Sequence, residues 1–129
     1  MIKIKVVEIC TWDMFDYAVN QITNRTKCLV KSNDIVNIYG IPRGGLPLAV
    51  SLSHRLNIPL VKNQSEINKR TLICDDISDG GNTLKQYRET NFIVTIYTTR
   101  HTKTVPNYSA YVRGKSWVKF PWELEDSLQ

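Results

Sequence analysis

The chain has 129 residues, 42% of them hydrophobic and 22% charged, a balance that excludes a disordered or collagen-like polymer and predicts a single domain over residues 1–129. Seventeen Lys and Arg against 12 Asp and Glu leave a net charge of +5, a field that suits nucleic acid, an acidic membrane surface or a small polyphosphate about equally. No basic run exceeds two residues and no aromatic-interleaved basic tract is present, which argues against a nucleic-acid partner and in favour of phosphorylated small molecules. No apolar stretch approaches the roughly 20 residues of a membrane-spanning helix. The opening MIKIKVVEIC alternates Lys with Ile and Val and does not read as a secretory leader, so the expected location is the cytoplasm, with no membrane partner.

Alternation of Ile2, Ile4 and Val6 with Lys3 and Lys5 predicts a half-buried first strand. A helix follows, with Phe15, Ala18, Val19 and Ile22 at helical spacing, Thr11 as its cap, and Asp13 and Asp16 near its positive end. Residues 35–41, IVNIYGI, read as a buried strand that stops at Pro42, and the next helix carries Leu46, Val50, Ser53 and Leu56 on one face. Short strands are expected at 59–61 and 71–75, separated by the polar loop KNQSEINKR at 62–70. A helix near 82–90, strands near 92–98 and 108–112, and an aromatic tail, SWVKFPWELED, complete the chain. Strands alternating with helices predict an α/β layer structure with a mainly parallel sheet and a ligand crevice at the carboxyl ends of its strands. Cys10, Cys28 and Cys74 make no CxxC pair and leave one unmatched, so reduced thiols filling apolar space are expected, with neither a disulfide framework nor a zinc site.

Chemistry concentrates in residues 72–84, LICDDISDGGNTL, where an apolar strand reaches Asp75 and Asp76 and runs through Asp79, Gly80 and Gly81 towards a helix. Two glycines let the backbone approach closely, so that the amides of residues 79–83 can converge on a phosphate. The paired acids can accept hydrogen bonds from sugar hydroxyls or hold Mg²⁺ through water. Phosphate, diol and metal together describe a sugar phosphate; the plainer alternative is a tight turn in which Asp79 is an Asx-turn residue. The glycine spacing fits neither a Walker A loop nor a GxGxxG dinucleotide turn.

This segment resembles the signature by which type I phosphoribosyltransferases bind 5-phosphoribosyl 1-diphosphate (PRPP). Residues 41–48, IPRGGLPL, are similar to the diphosphate loop of that family, while TWDM at 11–14 and WVKFPWE at 117–123 resemble the entry helix and base-covering tail of its bacterial xanthine-guanine members. The resemblance implies a type I phosphoribosyltransferase fold: a mainly parallel central sheet flanked by helices, with a small C-terminal segment covering the base. It implies a purine-salvage pentosyltransferase in which a ring nitrogen of guanine, xanthine or hypoxanthine attacks the anomeric carbon of PRPP, with loss of Mg-diphosphate. The product is a nucleoside monophosphate. Homo-oligomerisation is also expected.

By the same resemblance, Asp75, Asp76, Asp79, Gly80, Gly81, Asn82 and Thr83, with Arg43, Gly44 and Gly45, bind PRPP. Asp79 and Arg43 act in catalysis, and Asp76 holds Mg²⁺ through water. The Pro42–Arg43 peptide is expected to be cis. Trp117 stacks on the base, with main-chain groups of Val118 and Lys119 at its edge, or else is a core Trp; Trp122 is assigned to packing and His54 to an exposed helix face. Three departures stand out. Gly80 occupies a position where the family has Thr or Ser. The 62–70 segment is far shorter than the family's closing loop, and its Lys69 and Arg70 either cover the diphosphate or are simply solvated. The family's base-contacting lysine falls on Thr99, which leaves Arg100 or the backbone as the expected contact to the 6-oxo group, with His101 beside Arg100. A shortened loop also keeps open a non-catalytic PRPP- or nucleotide-binding regulator on this fold, possibly contacting nucleic acid.

Overall fold

The computed structural model describes residues 7–114 and 117–123. Most of the first expected strand lies outside them; its described part is β1 (Val7–Ile9). Helix α1 (Trp12–Lys31) starts where Thr11 Oγ1 accepts the Met14 N–H at 3.1 Å, and it buries Phe15, Ala18, Val19, Ile22 and Thr26. The Thr26 hydroxyl, buried in mid-helix, donates to the Ile22 carbonyl at 2.8 Å, so it carries no unmet polar demand into the core. Strand β2 (Asn37–Gly40) leads through a turn into α2 (Leu46–Leu56), which ends at Asn57 in the left-handed conformation, φ 55°.

The face expected for α2 is corrected. Leu48, Ala49 and Leu52 are its buried residues, whereas Leu46 and Val50 are exposed. The chain enters α2 from the tightly folded turn over β3, and that entry sets which side of the helix meets the sheet. Segment 59–61 makes one isolated bridge, Ile38 to Leu60, and not a strand; Pro59 has no N–H to offer a ladder. Strand β3 (Thr71–Ser78) is longer than expected and carries Asp75 and Asp76 inside the sheet, where it pairs with β4 (Ile93–Thr99) in the register Asp75 to Thr95 and Ile77 to Tyr97.

No α-helix forms over 82–90. A single 3-10 turn, Lys85–Tyr87, stands in its place. Leu84 and Tyr87 are the residues this segment buries, and their i to i+3 spacing stacks them on one side of a 3-10 turn. Strand β5 (Tyr108–Arg113) pairs in parallel with β4, and β6 (Trp117–Lys119) pairs in parallel with β1. The main sheet therefore has the order β2-β3-β4-β5, parallel throughout, and β1-β6 forms a second two-stranded sheet.

Period-two alternation divides the strand residues between two cores. Ile38, Leu72, Cys74, Val94 and Ile96 pack with the buried stripes of α1 and α2, while Tyr39, Ile73 and Ile93 meet Val61, Leu84 and Tyr87 on the other side. Trp122 stacks on Phe120 at 5.0 Å and meets Phe15 edge-on, the packing role expected of it. All three cysteines are free. Cys10 and Cys74 are buried as expected, but Cys28 is exposed on α1 and fills no core. No described helix is long and apolar enough to cross a membrane.

Candidate active site

The carboxyl ends of β2 and β3 bring the two glycine loops together. The Ile41 N–H donates to the Cys74 carbonyl at 2.9 Å and the Gly45 N–H to the Ile41 carbonyl at 2.8 Å, which folds 41–45 tightly over β3. A Cβ on Gly44 would run into the Asp76 carboxylate, and one on Gly45 into the Cys74 carbonyl. The glycines of this loop are thus required by close approach to the strand that carries the acids. The Pro42–Arg43 peptide is cis, as expected, and Arg43 is exposed at the tip of the turn.

Asp75 and Asp76 are neighbours on an extended strand, so they face different cavities. Asp75 joins Ile77, Asp79, Gly80, Gly81, Asn82 and Thr83 around a hollow of about 240 Å³. There the N–H groups of Gly80, Gly81, Asn82 and Thr83 donate to no other described residue, leaving a row of amides available to an anion. The loop is held from behind by a segment that sequence reasoning did not single out. Ser78 Oγ donates to the Thr104 carbonyl at 2.7 Å and meets Thr102 Oγ1 at 2.8 Å, the Thr104 hydroxyl donates to the Gly81 carbonyl at 2.6 Å, and the Lys103 N–H donates to the Gly80 carbonyl at 3.2 Å. Because no α-helix follows, these amides and not a helix dipole provide the positive end.

Asp76 faces the second cavity, about 210 Å³, with Ile77, Asp79, Arg113, Trp117, Val118, Phe120 and Glu123. Trp117 is 46% exposed and belongs to this rim, while Val118 is buried and the Lys119 carbonyl accepts the Cys10 N–H at 2.9 Å. Ile77 and Asp79 line both cavities, so the amide hollow and the aromatic cavity meet at the Asp79 carboxylate.

Burial pushes the Asp75 carboxyl up to about 8, with the Asp76 charge as the next cause, and burial raises Asp76 as well. Two adjacent half-buried acids that resist joint ionisation form a site at which a cation would relieve the repulsion. Among the described residues no group of three or more His, Cys, Asp and Glu side chains gathers to cage a metal. An ion that keeps several waters and takes one or two carboxylates, as Mg²⁺ does, is one that such a pair could hold.

Arg100, Lys69 and Arg70 are placed away from these cavities, and Arg43, Gly44 and Gly45 are not among the residues that line them. Arg100 lines a separate cavity of about 590 Å³ with His101, Val112, Arg113 and Gly114, and not the one that holds Trp117. Lys69 and Arg70 lie at the amino end of β3, where the Arg70 carbonyl accepts the Val36 N–H. Six residues of extended chain, about 20 Å, separate Arg70 from Asp76. Thr99 is buried and donates to the Asp79 carbonyl at 2.8 Å, so its side chain braces the loop from below. Arg113 escaped the sequence reading altogether: its Nη2 donates to Asp79 Oδ1 at 2.8 Å, and its side chain is only 11% exposed. His101 Nε2 meets the same oxygen at 3.0 Å from the solvent side, and His54 is exposed on α2 as expected.

No protein-family model matches the chain. Its structure is similar to the purine phosphoribosyltransferase of Pyrococcus horikoshii Ot3, with 29% identity and a TM-score of 0.74 over 92% of this chain and 95% of that one. It is also similar to a xanthine-guanine-hypoxanthine phosphoribosyltransferase of Helicobacter pylori, with 14% identity and a TM-score of 0.75 over 97% of both chains. A hypothetical protein from Neisseria gonorrhoeae with bound ppGpp matches at 14% identity and a TM-score of 0.64, over 97% of this chain and 93% of that one.

Proposed function

The chain is built on the type I phosphoribosyltransferase fold, and from that premise we propose that it transfers the phosphoribosyl group of PRPP to an oxopurine: guanine, xanthine or hypoxanthine. The observation that carries the reading is the meeting of the amide hollow and the aromatic cavity at Asp79, which sets a sugar-phosphate site and a flat-ring site edge to edge. The 5-phosphate sits on the amides of residues 80–83, the ribose hydroxyls face Asp75 and Asp76, and the diphosphate lies over Gly44 and Gly45 with Arg43 beside it. The base stacks on Trp117 against Val118.

In the reaction, a bond forms between a ring nitrogen and the anomeric carbon while the bond from that carbon to the diphosphate oxygen breaks. Asp79 receives the ring proton, and Arg43 with the loop amides balances the charge that grows on the leaving diphosphate. Asp76 would hold Mg²⁺ through water, and the ion would supply charge to neutralise diphosphate oxygens. Holding both substrates in register accounts for much of the rate. Purine salvage in the cytoplasm, by a homo-oligomer, is the setting this activity fits.

Diphosphate release from PRPP and Mg²⁺, assayed against a panel of purines and pyrimidines, tests the proposal. Turnover with oxopurines is the expected outcome, and turnover confined to pyrimidines would overturn it. The placement of Lys69 and Arg70 at the amino end of β3 favours a second reading, a PRPP- or nucleotide-binding regulator, because no residue of the 62–70 segment lines either cavity. Tight PRPP binding without turnover on any base would select that reading.

A further inference from the structure

Thr99 ends β4 and Arg113 ends β5, and the parallel register sets them opposite one another. Arg113 thus brings a guanidinium to the level at which β4 carries the Thr99 hydroxyl. Arg113 reaches into the aromatic cavity beside Asp79, Trp117 and Val118, and its Nε is buried with no hydrogen-bond partner among the described residues. Its side chain is held in place by the Asp79 bond at 2.8 Å, so the cavity presents a carboxylate acceptor next to a guanidinium donor.

We propose that Arg113 is the residue that selects an oxopurine over an aminopurine, by donating to the exocyclic 6-oxygen while Asp79 stays at the ring nitrogen whose proton it receives. This rests on the purine-transfer reading above. A 6-oxopurine presents a carbonyl oxygen, an acceptor for the guanidinium. A 6-aminopurine puts an N–H donor where the oxygen would be, and the guanidinium, which has no acceptor, then faces a donor. A site built around such a polar contact rejects the wrong partner because its own buried group is left unpaired. Arg100, in the neighbouring cavity with the exposed His101, is not positioned for this contact.

Calorimetric titration with IMP and AMP, together with kinetics on hypoxanthine and adenine, tests the proposal on wild type, Arg113→Met and Arg113→Lys, each checked by thermal melting. Wild type is expected to prefer IMP and hypoxanthine by about ten- to a hundredfold, the worth of a good guanidinium–oxygen contact. Arg113→Met is expected to bring that ratio close to one with the KM for PRPP unchanged, and Arg113→Lys to recover part of it. Were Arg113 only a prop for Asp79, the Met variant would lower turnover of both bases alike and leave the ratio intact, which overturns the inference. Should the Met variant not fold, Arg113→Gln, similar in length and able to donate to only one partner at a time, carries the same expected loss, and an unchanged ratio there is equally fatal. PRPP binding with no preference for IMP over AMP in wild type refutes the role of Arg113 alone; no PRPP binding at all refutes the transferase reading and this inference with it.

Discussion

A Cβ added at Gly80 meets no atom within 4 Å, whereas one added at Gly81 runs into the Thr104 amide, and of the two only Gly81 holds a positive φ, +86°. The two substitutions should therefore differ in sign. Gly80→Thr is expected to fold normally and to tighten PRPP binding by about 1.5 to 3 kcal/mol at most, the worth of one hydrogen bond to a charged group. Gly81→Ala should cost at least about 1 to 2 kcal/mol of stability in urea denaturation, from the left-handed backbone alone. The acids make a different kind of prediction. With the Asp75 carboxyl raised from 3.8 to about 8, the folded state holds a proton that the unfolded chain releases. That contribution is fully present below pH about 4 and is lost as pH rises through about 8, so the ligand-free protein should become less stable across this window. Asp75→Asn keeps an oxygen to accept the Asp76 N–H and should flatten the slope; a slope equal to that of wild type would show that Asp75 is not its source.

At the scale of elements, β6 matters because its pairing with β1, Val7 to Trp117, fixes the tail over the cavity rim. Trp117→Leu should weaken oxopurine binding by about 1 to 3 kcal/mol, read as a higher KM for the base with the KM for PRPP unchanged. Unchanged base kinetics would remove the stacking role. The turn between β2 and α2 meets the acid pair of β3 at Gly44, which packs against the Asp76 carboxylate. Gly44→Ala must displace this carboxylate, so Mg²⁺-dependent PRPP binding should fall while AMP or IMP, which carry no diphosphate, lose less in calorimetry. Equal losses would mean that the loop and Asp76 do not share one ligand.

Over the whole molecule, the proposed function brings two loops from separate crossovers onto one substrate, so binding should stabilise the fold as a unit. At a hundredfold excess over its dissociation constant, PRPP with Mg²⁺ is expected to add about 2.7 kcal/mol, visible as a rise in melting temperature. Asp75→Asn combined with Asp76→Asn should abolish the rise. A double variant that is still stabilised by PRPP and Mg²⁺ would place the ligand elsewhere. The net charge of +5 supports this affinity for anionic ligands from a distance, yet the contacts that discriminate among them are local.

Whatever depends on neighbours along the chain was legible without a structure. The Thr11 cap, the buried stripe of α1, the strands before Pro42 and before Asp75, and the two glycine loops all follow from local periodicity and backbone chemistry, which act over a few residues. Where a local pattern had to compete with packing, it misled. The Leu46 and Val50 side of α2 turned outward because the chain enters that helix from a turn pinned to β3, and 82–90 settled into a 3-10 turn because Leu84 and Tyr87 share one small apolar pocket. The pairing of Asp79 with Arg113, 34 residues apart, and the bracing of the anion loop by Thr99, Thr102 and Thr104 were decided by tertiary structure alone. Parallel strands place residues side by side through crossovers whose register is set by burial of the whole sheet, and no short stretch of sequence carries that information.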